Sequence, residues 1–364
     1  MFYAQRVLSA GISQEEAQKY VNASYVVMDA LGLYQHHDAI TGTEQEYVAK
    51  DYAHQLLKAK DWSLKFYQDE MSRELERIAG IKSHAPLQVC EGNANDTIDE
   101  CPIADHADVN EFIVVVHNPS SRANEQFVRI RLPENKYKAQ QWSTSKRAFV
   151  DVESDILEQK HVSNTKKLST DYEIFIPCSI KPSDVAIYKL VKTAEADDSR
   201  PLRKNRDVAS LNAYGFSPEG DVLFEFTDPA QKLTQRFGFN VMYYRAHQIP
   251  DYRVQAGDAG LAEGPYLFKP DLENQKPQQF STLDTDVAFE QGRFVDQWTI
   301  RYTNATTKQD AMVRVRFSDR FQGLIEFVVE LAEIPIMLDG RGKDVTVNFR
   351  MYDDFDSNGT FYHD

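Results

Sequence analysis

At Pro86 the hydrophobic period of this chain changes from that of a helix to that of a strand, so the two stretches must fold as different kinds of layer. Before it, Ala17, Tyr20, Val21, Ser24, Val27, Met28 and Leu31 recur at helical spacing behind the capping box Ser13-Gln14-Glu15-Glu16, and Gly32 is expected to stop this helix. A second box, Thr43-Glu44-Gln45-Glu46, is expected to open a long helix. Its Val48, Tyr52, Leu56, Ala59 and Leu64 point one way, with Met71, Leu75 and Ile78 continuing before Gly80. Two long helices thus flank a loop over 33–43. Beyond Pro86, Val128 to Leu132 and Val313 to Phe317 alternate as half-exposed strands do, whereas Phe112 to Val116 and Leu324 to Val329 are apolar runs expected to lie deeper. The polar segment Thr193 to Arg206 is the best linker candidate between two β regions.

The 364 residues are 42% hydrophobic and 12% aromatic, ample for a sizeable core. A formal net charge of -15 argues against nucleic acid or an anionic membrane surface as a partner, because both are polyanions. No apolar run approaches the roughly 18 residues that cross a bilayer, and MFYAQRVLSAGIS lacks the layout of a signal peptide. Three cysteines, Cys90, Cys101 and Cys178, form no C-x-x-C pair, which removes zinc knuckles and thioredoxin-like sites. A short disulfide between Cys90 and Cys101 would close the polar loop they bracket. Sequons stand at Asn22, Asn95, Asn304 and Asn358, whereas Asn118 is followed by proline. Both ends read as cut: residues 1–10 resemble the tail of an uncapped helix, and the chain stops after a turn-like Asp-Ser-Asn-Gly.

The densest group of chemically able side chains is Gln35-His36-His37-Asp38, in the loop before the second box. Adjacent side chains in a loop diverge, so one imidazole is free to ligate a metal while its neighbour or the carboxylate meets substrate. The bland alternative is a polar turn in which Asp38 holds the loop. Asp105-His106-Ala107-Asp108 reads as a solvated acidic loop, His54 as a partly exposed helix residue and His117 as a turn residue before Asn118-Pro119. No G-x-S-x-G elbow, P-loop or dinucleotide fingerprint occurs, and no glycosidase carboxylate pair is selectable from spacing.

Leu33-Tyr34-Gln35-His36-His37-Asp38-Ala39-Ile40-Thr41-Gly42-Thr43 resembles the Q-H-H-D-A-x-[ST]-G-T signature of class II α-mannosidases, glycoside hydrolase family 38. Val48 to Ala53 resembles the V-A-x-D-Y-A run of its lysosomal branch. In order along the chain, Val114 to Pro119 is similar to V-V-V-Y-N-P, Gly264 to Pro270 to G-A-Y-x-F-x-P, Ile334-Pro335-Ile336 with Gly342-Lys343 to G-P-I-P…G-K-E, and Asn358 to Tyr362 to N-G-x-F-Y. Pro265, Glu263 and Ile334 depart from the usual alanine, serine and glycine, which bears on the fine shape of a pocket.

The resemblance implies a retaining, zinc-dependent hydrolase of terminal α-D-mannose on N-linked glycans, in the lysosome or elsewhere in the secretory pathway or outside the cell. It implies His37 as a zinc ligand, Asp38 as a contact to mannose hydroxyls or metal, Tyr266 as a sugar contact and His36 as a neighbour of the site. The Cys90 to Cys101 loop is similar in place to a short disulfide loop of lysosomal members, and Cys178 is read as a buried free thiol. The nucleophile, the general acid and the other zinc ligands are implied in an N-terminal part of the same or a companion polypeptide, so this chain alone is expected to be inactive. The alternative is a non-catalytic carbohydrate-binding or structural module. The architecture expected is α+β multidomain: a helical hairpin or three-helix bundle over 1–86, a small antiparallel β-sandwich over 87–195, and over 205–364 the first part of an incomplete, mutarotase-like β super-sandwich.

Overall fold

The computed structural model describes residues 12–84, 86–89, 91–92, 99–100, 109–161, 169–195, 209–247, 268–271, 276–280, 286–303, 310–320, 324–331 and 343–352. It consists mostly of antiparallel sheets, with three helices among the described residues. The chain divides into two compact units, Met1–Ile156 with Tyr172–Asp198, and Leu157–Asp171 with Ser199–Asp364. One division falls inside the polar segment expected as a linker.

In the first unit, α1 (Gln14–Tyr34), the single turn α2 (His37–Ile40) and α3 (Glu46–Ala79) form the helical part. Ser13 caps α1 as its sequence predicts, its Oγ accepting from the Glu16 N–H at 3.1 Å. Gly32 does not stop the helix, which runs on to Tyr34. A helix-interior glycine costs only about 1 kcal/mol against alanine, and the packing of Tyr34 near Tyr52 lies beyond it.

The buried stripe of α1 also differs from the one its apolar spacing predicts. Tyr20, Ala23 and Ala30 are buried, whereas Val21, Met28 and Leu31 are 47%, 67% and 41% exposed. Helices that approach closely need small residues at the contact, so alanines take the inner face and the larger apolar side chains are left outside. Tyr20 Oη and Arg73 Nη1 both donate to the buried Glu70 carboxylate, tying α1 to α3. Helix α3 closes at Gly80, whose φ of +69° is the left-handed conformation glycine favours and whose N–H meets the Glu76 carbonyl at 2.8 Å.

The strands of this part are β1 (Glu91–Gly92), β2 (Asp99–Glu100), β3 (Glu111–His117), β4 (Asn124–Leu132), β5 (Tyr137–Ser143), β6 (Ala148–Val152), β7 (Asp155–His161), β8 (Ser169–Ile180) and β9 (Val185–Lys192). They form a β1–β2 pair, a four-stranded sheet β3-β9-β5-β6 and a three-stranded sheet β4-β8-β7. The outer end of the β7–β8 hairpin is counted with the second unit. Leu132, Ile174, Ile176, Tyr188 and Leu190, from both larger sheets, are fully buried in one core. Strand β4 alternates as expected, but Phe112 to Val116 are half-buried rather than deep, because β3 is an edge strand with a neighbour on one side only among the described residues. Cys178 is a buried free thiol in this core, and burial pushes its pKa up while the neighbouring Tyr188 hydroxyl pulls it down.

The second unit holds β10 (Ser210–Phe216), β11 (Val222–Asp228), β12 (Leu233–Arg245), β13 (Gln278–Gln279), β14 (Asp286–Gln291), β15 (Asp296–Thr303), β16 (Asp310–Ser318), β17 (Leu324–Leu331) and β18 (Lys343–Met351). One sheet runs β10-β11-β12-β13 with β18 on β12, the other β14-β15-β16-β17. Phe224 and Phe239 from the first meet Ile300, Val313, Val315 and Phe317 from the second in a common core.

Val313 to Phe317 are not half-exposed. Arg314 and Arg316, expected on a wet face, are each only 4% exposed. Arg316 donates to Gln297 Oε1 at 2.9 Å, Gln159 Oε1 at 2.8 Å and Glu326 Oε2 at 3.0 Å. Arg314 donates to the Lys160 carbonyl at 2.9 Å and to the Glu330 carboxylate. The strand has neighbours on both sides, and Gln159 and Lys160, from the segment Leu157–Asp171, cover its outer face. Ile325 to Val329 lie only half-buried, on β17, an edge strand among the described residues. At the other sheet, β18 pairs with β12 alone among the described residues, and Val347, Phe349 and Met351 along it are exposed.

Candidate functional site

The loop between the two long helices is wound rather than extended, which decides where its side chains point. The His36 carbonyl accepts from the N–H groups of Ala39 and Ile40 at 2.9 and 3.1 Å, and the Asp38 carbonyl accepts from those of Thr43 and Glu44 at 2.9 and 3.2 Å. Buried Ala39 anchors the turn, and Gly42, with φ of +70°, reverses the chain. The expected Thr43 capping box does not form: α3 starts at Glu46, capped at Gln45 with no side-chain bond. Thr43 Oγ1 instead donates to Asp38 Oδ1 at 2.8 Å and lies 2.9 Å from Thr41 Oγ1, which itself reaches the His37 carbonyl. The threonine is drawn to a charged acceptor, a stronger bond than the cap it gives up.

With one oxygen held, Asp38 turns the other toward both imidazoles. Asp38 Oδ2 lies 3.4 Å from His37 Nε2 and 3.7 Å from His36 Nε2. One ligand atom from each of the three residues falls within 4.8 Å of the others. The two imidazoles sit 4.5 Å apart between centroids, and Tyr52 stands 6.4 Å from His36. The cluster opens to solvent, His37 most of all at 84% side-chain exposure.

A tetrahedral zinc with bonds of about 2.0–2.2 Å separates its ligand atoms by roughly 3.3–3.6 Å. The 3.4 Å separation of Asp38 Oδ2 from His37 Nε2 lies in this range and the 3.7 Å separation from His36 Nε2 just beyond it, and nitrogen and carboxylate donors are types such an ion takes. The loop by itself does not complete a tetrahedral set, so further ligands would come from outside it.

The remaining sequence candidates separate in space. His54 is exposed on α3, and Asn22 is exposed on α1, where its Oδ1 accepts from Gln18 Nε2 at 2.9 Å. His117 is not a turn residue but the last residue of β3, 3.3 Å through Nδ1 from Tyr67 Oη. Tyr266, Cys90, Cys101, Asn95, Asn304, Asn358 and the Asp105 to Asp108 cluster lie outside the described residues. Immediately after Tyr266's segment, Phe268 packs edge-on against Tyr244 at 5.1 Å and the Lys269 carbonyl accepts from the His247 N–H at 2.9 Å. Sequence reading missed Thr43 as the partner of Asp38 and Tyr52 as the aromatic neighbour of His36. Two threonines, Thr41 and Thr43, close behind Asp38 were the available signal for the first.

The fold and this site define a helical hairpin presenting a His-His-Asp donor cluster, followed by antiparallel sheets. The chain is similar to α-mannosidases: lysosomal alpha-mannosidase of Bos taurus, 26% identical over 246 residues covering 66% of this chain and 21% of the relative; alpha-mannosidase of Canavalia ensiformis, 22% identical over 363 residues covering 94% and 35%; and alpha-mannosidase 2 of Arabidopsis thaliana, 23% identical over 326 residues covering 79% and 26%. No family model matches the chain. The chain spans between about a fifth and about a third of the length of these relatives.

No helix among the described residues is long and apolar enough to cross a membrane.

Proposed function

We propose that this chain is the middle part of a retaining, zinc-dependent α-mannosidase of the lysosomal branch of glycoside hydrolase family 38, acting on terminal α-D-mannose of N-linked glycans. The observation that carries this reading is the convergence of His36, His37 and Asp38, inside a Q-H-H-D-A-I-T-G-T run, into a donor cluster of zinc-like spacing. Similarity to α-mannosidases over 66% to 94% of the chain supports it.

In this reading His37 Nε2 is a metal ligand. Asp38, held through Oδ1 by Thr43, turns Oδ2 to a mannose hydroxyl or the metal, and His36 lies beside them. Tyr266 contributes a further sugar contact. Zinc, when bound, supplies Lewis-acid polarisation of the sugar hydroxyls. The nucleophilic carboxylate, the general acid and the remaining zinc ligands come from an N-terminal part of the same or a companion polypeptide, and the chain alone does not hydrolyse mannosides. Ile40 and Tyr47, 64% and 71% exposed at and just after the loop, give such a part apolar surface to cover.

The same reading assigns a disulfide to Cys90 and Cys101, supported by the antiparallel pairing of Glu91 with Glu100 just inside them. It assigns glycans to Asn22, Asn95, Asn304 and Asn358, and places the protein in the lysosome, the secretory pathway or outside the cell. It keeps the domains 1–86, 87–195 and 205–364, the last a partial mutarotase-like super-sandwich.

The test is zinc content and aryl α-mannoside hydrolysis of the natively purified protein with any associated polypeptide. About one zinc per complex is expected, and His37→Ala should weaken metal binding by about 100-fold or more, at or beyond the effect of losing a supporting residue, and abolish hydrolysis. A zinc-free, inactive protein with no companion would leave the non-catalytic module. Thr43→Val keeps the volume and removes the hydroxyl from Asp38. It should reduce kcat/KM by about 10–100-fold with the fold intact by circular dichroism; unchanged kinetics would show that Asp38 needs no such support.

A further inference from the structure

We infer that the contact between Tyr67 of α3 and His117 at the end of β3 is a pH-sensitive joint, with His117 as its titrating group. His117 ends β3 opposite Val185 of β9, and the chain directly after it is locked. The Asn118 side-chain amide donates to the carbonyls of Arg122, Lys181 and Ile180 at 2.8, 3.0 and 3.1 Å, so the strand end has little room to shift. From α3, Tyr67 reaches across, its Oη 3.3 Å from His117 Nδ1 with the rings 6.0 Å apart between centroids. Met71 and Leu75, at helical spacing from Tyr67, are buried, and Gln68 Nε2 fastens the same stretch to the Leu87 carbonyl at 2.7 Å. An imidazole thus sits at a partly buried contact between a helix and a strand end that are both held in place.

Glu74 faces His117 from α3 and favours its protonation, while the N-terminal amino group opposes it. Glu74 is itself engaged by Arg77, whose Nε donates to it at 3.0 Å, and Arg77 also feels Asp184 from the turn before β9. Burial, with the N-terminal amino group acting in the same direction, outweighs Glu74 and holds His117 below the ordinary histidine value, while burial pushes Tyr67 up and keeps its hydroxyl protonated. With the neutral ring's hydrogen on Nε2, His117 accepts from the Tyr67 hydroxyl through Nδ1. Protonation puts a hydrogen on that nitrogen, reverses the bond and adds a charge to the joint.

The sign follows. The unfolded or opened chain titrates this histidine near 6.5, and the closed joint lower, so the opened form binds more protons. Stability of the joint is complete above about pH 6.5 and is lost as pH falls toward the closed-state value. The run that Val114 to Pro119 resembles carries tyrosine at the place of His117, which would not titrate in this range.

The experiment is a titration of the full chain labelled at histidine Cε1, read by NMR, together with amide exchange over 67–75 and 111–117 corrected for intrinsic chemistry. His117 is expected to titrate below 6.5. Exchange over both stretches is expected to rise between pH 7.5 and 5.5, by up to about tenfold per unit of depression, and to lose that pH dependence in His117→Gln. A titration at or above 6.5, or the same pH dependence in His117→Gln, overturns the inference. Should the variant fail to fold, the titration of the wild-type chain decides alone.

Discussion

Arg314→Ala is expected to cost the second unit about 3–5 kcal/mol, because it strips the guanidinium from a carboxylate that has no route to water. Glu330 is 2% exposed, and Arg314 is its bonded cation while also holding the Lys160 carbonyl at 2.9 Å. The paired replacement Arg314→Met with Glu330→Leu should be far milder, since it removes both buried charges and keeps most of the volume. Urea unfolding of the three proteins, monitored by tryptophan fluorescence with Trp298 in this core, measures the difference. A loss below about 1 kcal/mol for Arg314→Ala would mean that water reaches the pair and that the arginine face of β16 is wetter than its 4% exposure implies.

Gly238→Ala should destabilise the same unit by about 1–3 kcal/mol through overpacking. A Cβ at this position would stand 2.7 Å from Tyr352 Cε2 and 2.9 Å from Asp221 Cβ. Neither neighbour is free to give way. Asp221 is 2% exposed, its carboxylate takes the Asn240 amide and the Tyr352 hydroxyl, and Arg350 lies 3.3 Å from it. The Tyr352 N–H is bonded to the Arg236 carbonyl at 2.9 Å. Calorimetric unfolding reads the effect, and a melting temperature equal to that of the wild type would show that the Tyr352 ring swings aside at no cost.

The two predictions concern buried polar groups, and those are where sequence reading was weakest. Arginine alternating with valine in Val313 to Phe317 is the pattern of a strand with one wet face, and nothing within the strand distinguishes it from a strand with that face covered. Gln159, which covers Arg316, is 157 residues away. The helical segment shows the same limit at shorter range. Its apolar residues outnumber the places on one stripe, so spacing alone chose Val21, Met28 and Leu31 together with Tyr20, whereas close approach to α3 kept Tyr20 and selected Ala23 and Ala30. At the loop, Ser13 and Thr43 both carry capping signatures, but only Ser13 caps; Thr43 had a carboxylate five residues earlier to bond instead.

What the sequence by itself determined were the properties that local chemistry controls: helix before Pro86 and strand after it, the left-handed stop at Gly80, and the loop that carries His36, His37 and Asp38. Side-chain periods of 3.6 and 2 are written residue by residue, so no distant partner is needed to read them. Only the tertiary structure decided which apolar face of α1 is buried, that Asp38 is held by Thr43 and turned toward both imidazoles, that Arg314 and Arg316 are dry, and that His117 faces a helix rather than a turn. Each of those depends on which groups the fold brings within hydrogen-bond or van der Waals range, and a buried polar group finds its partners by proximity in space, whatever the separation along the chain.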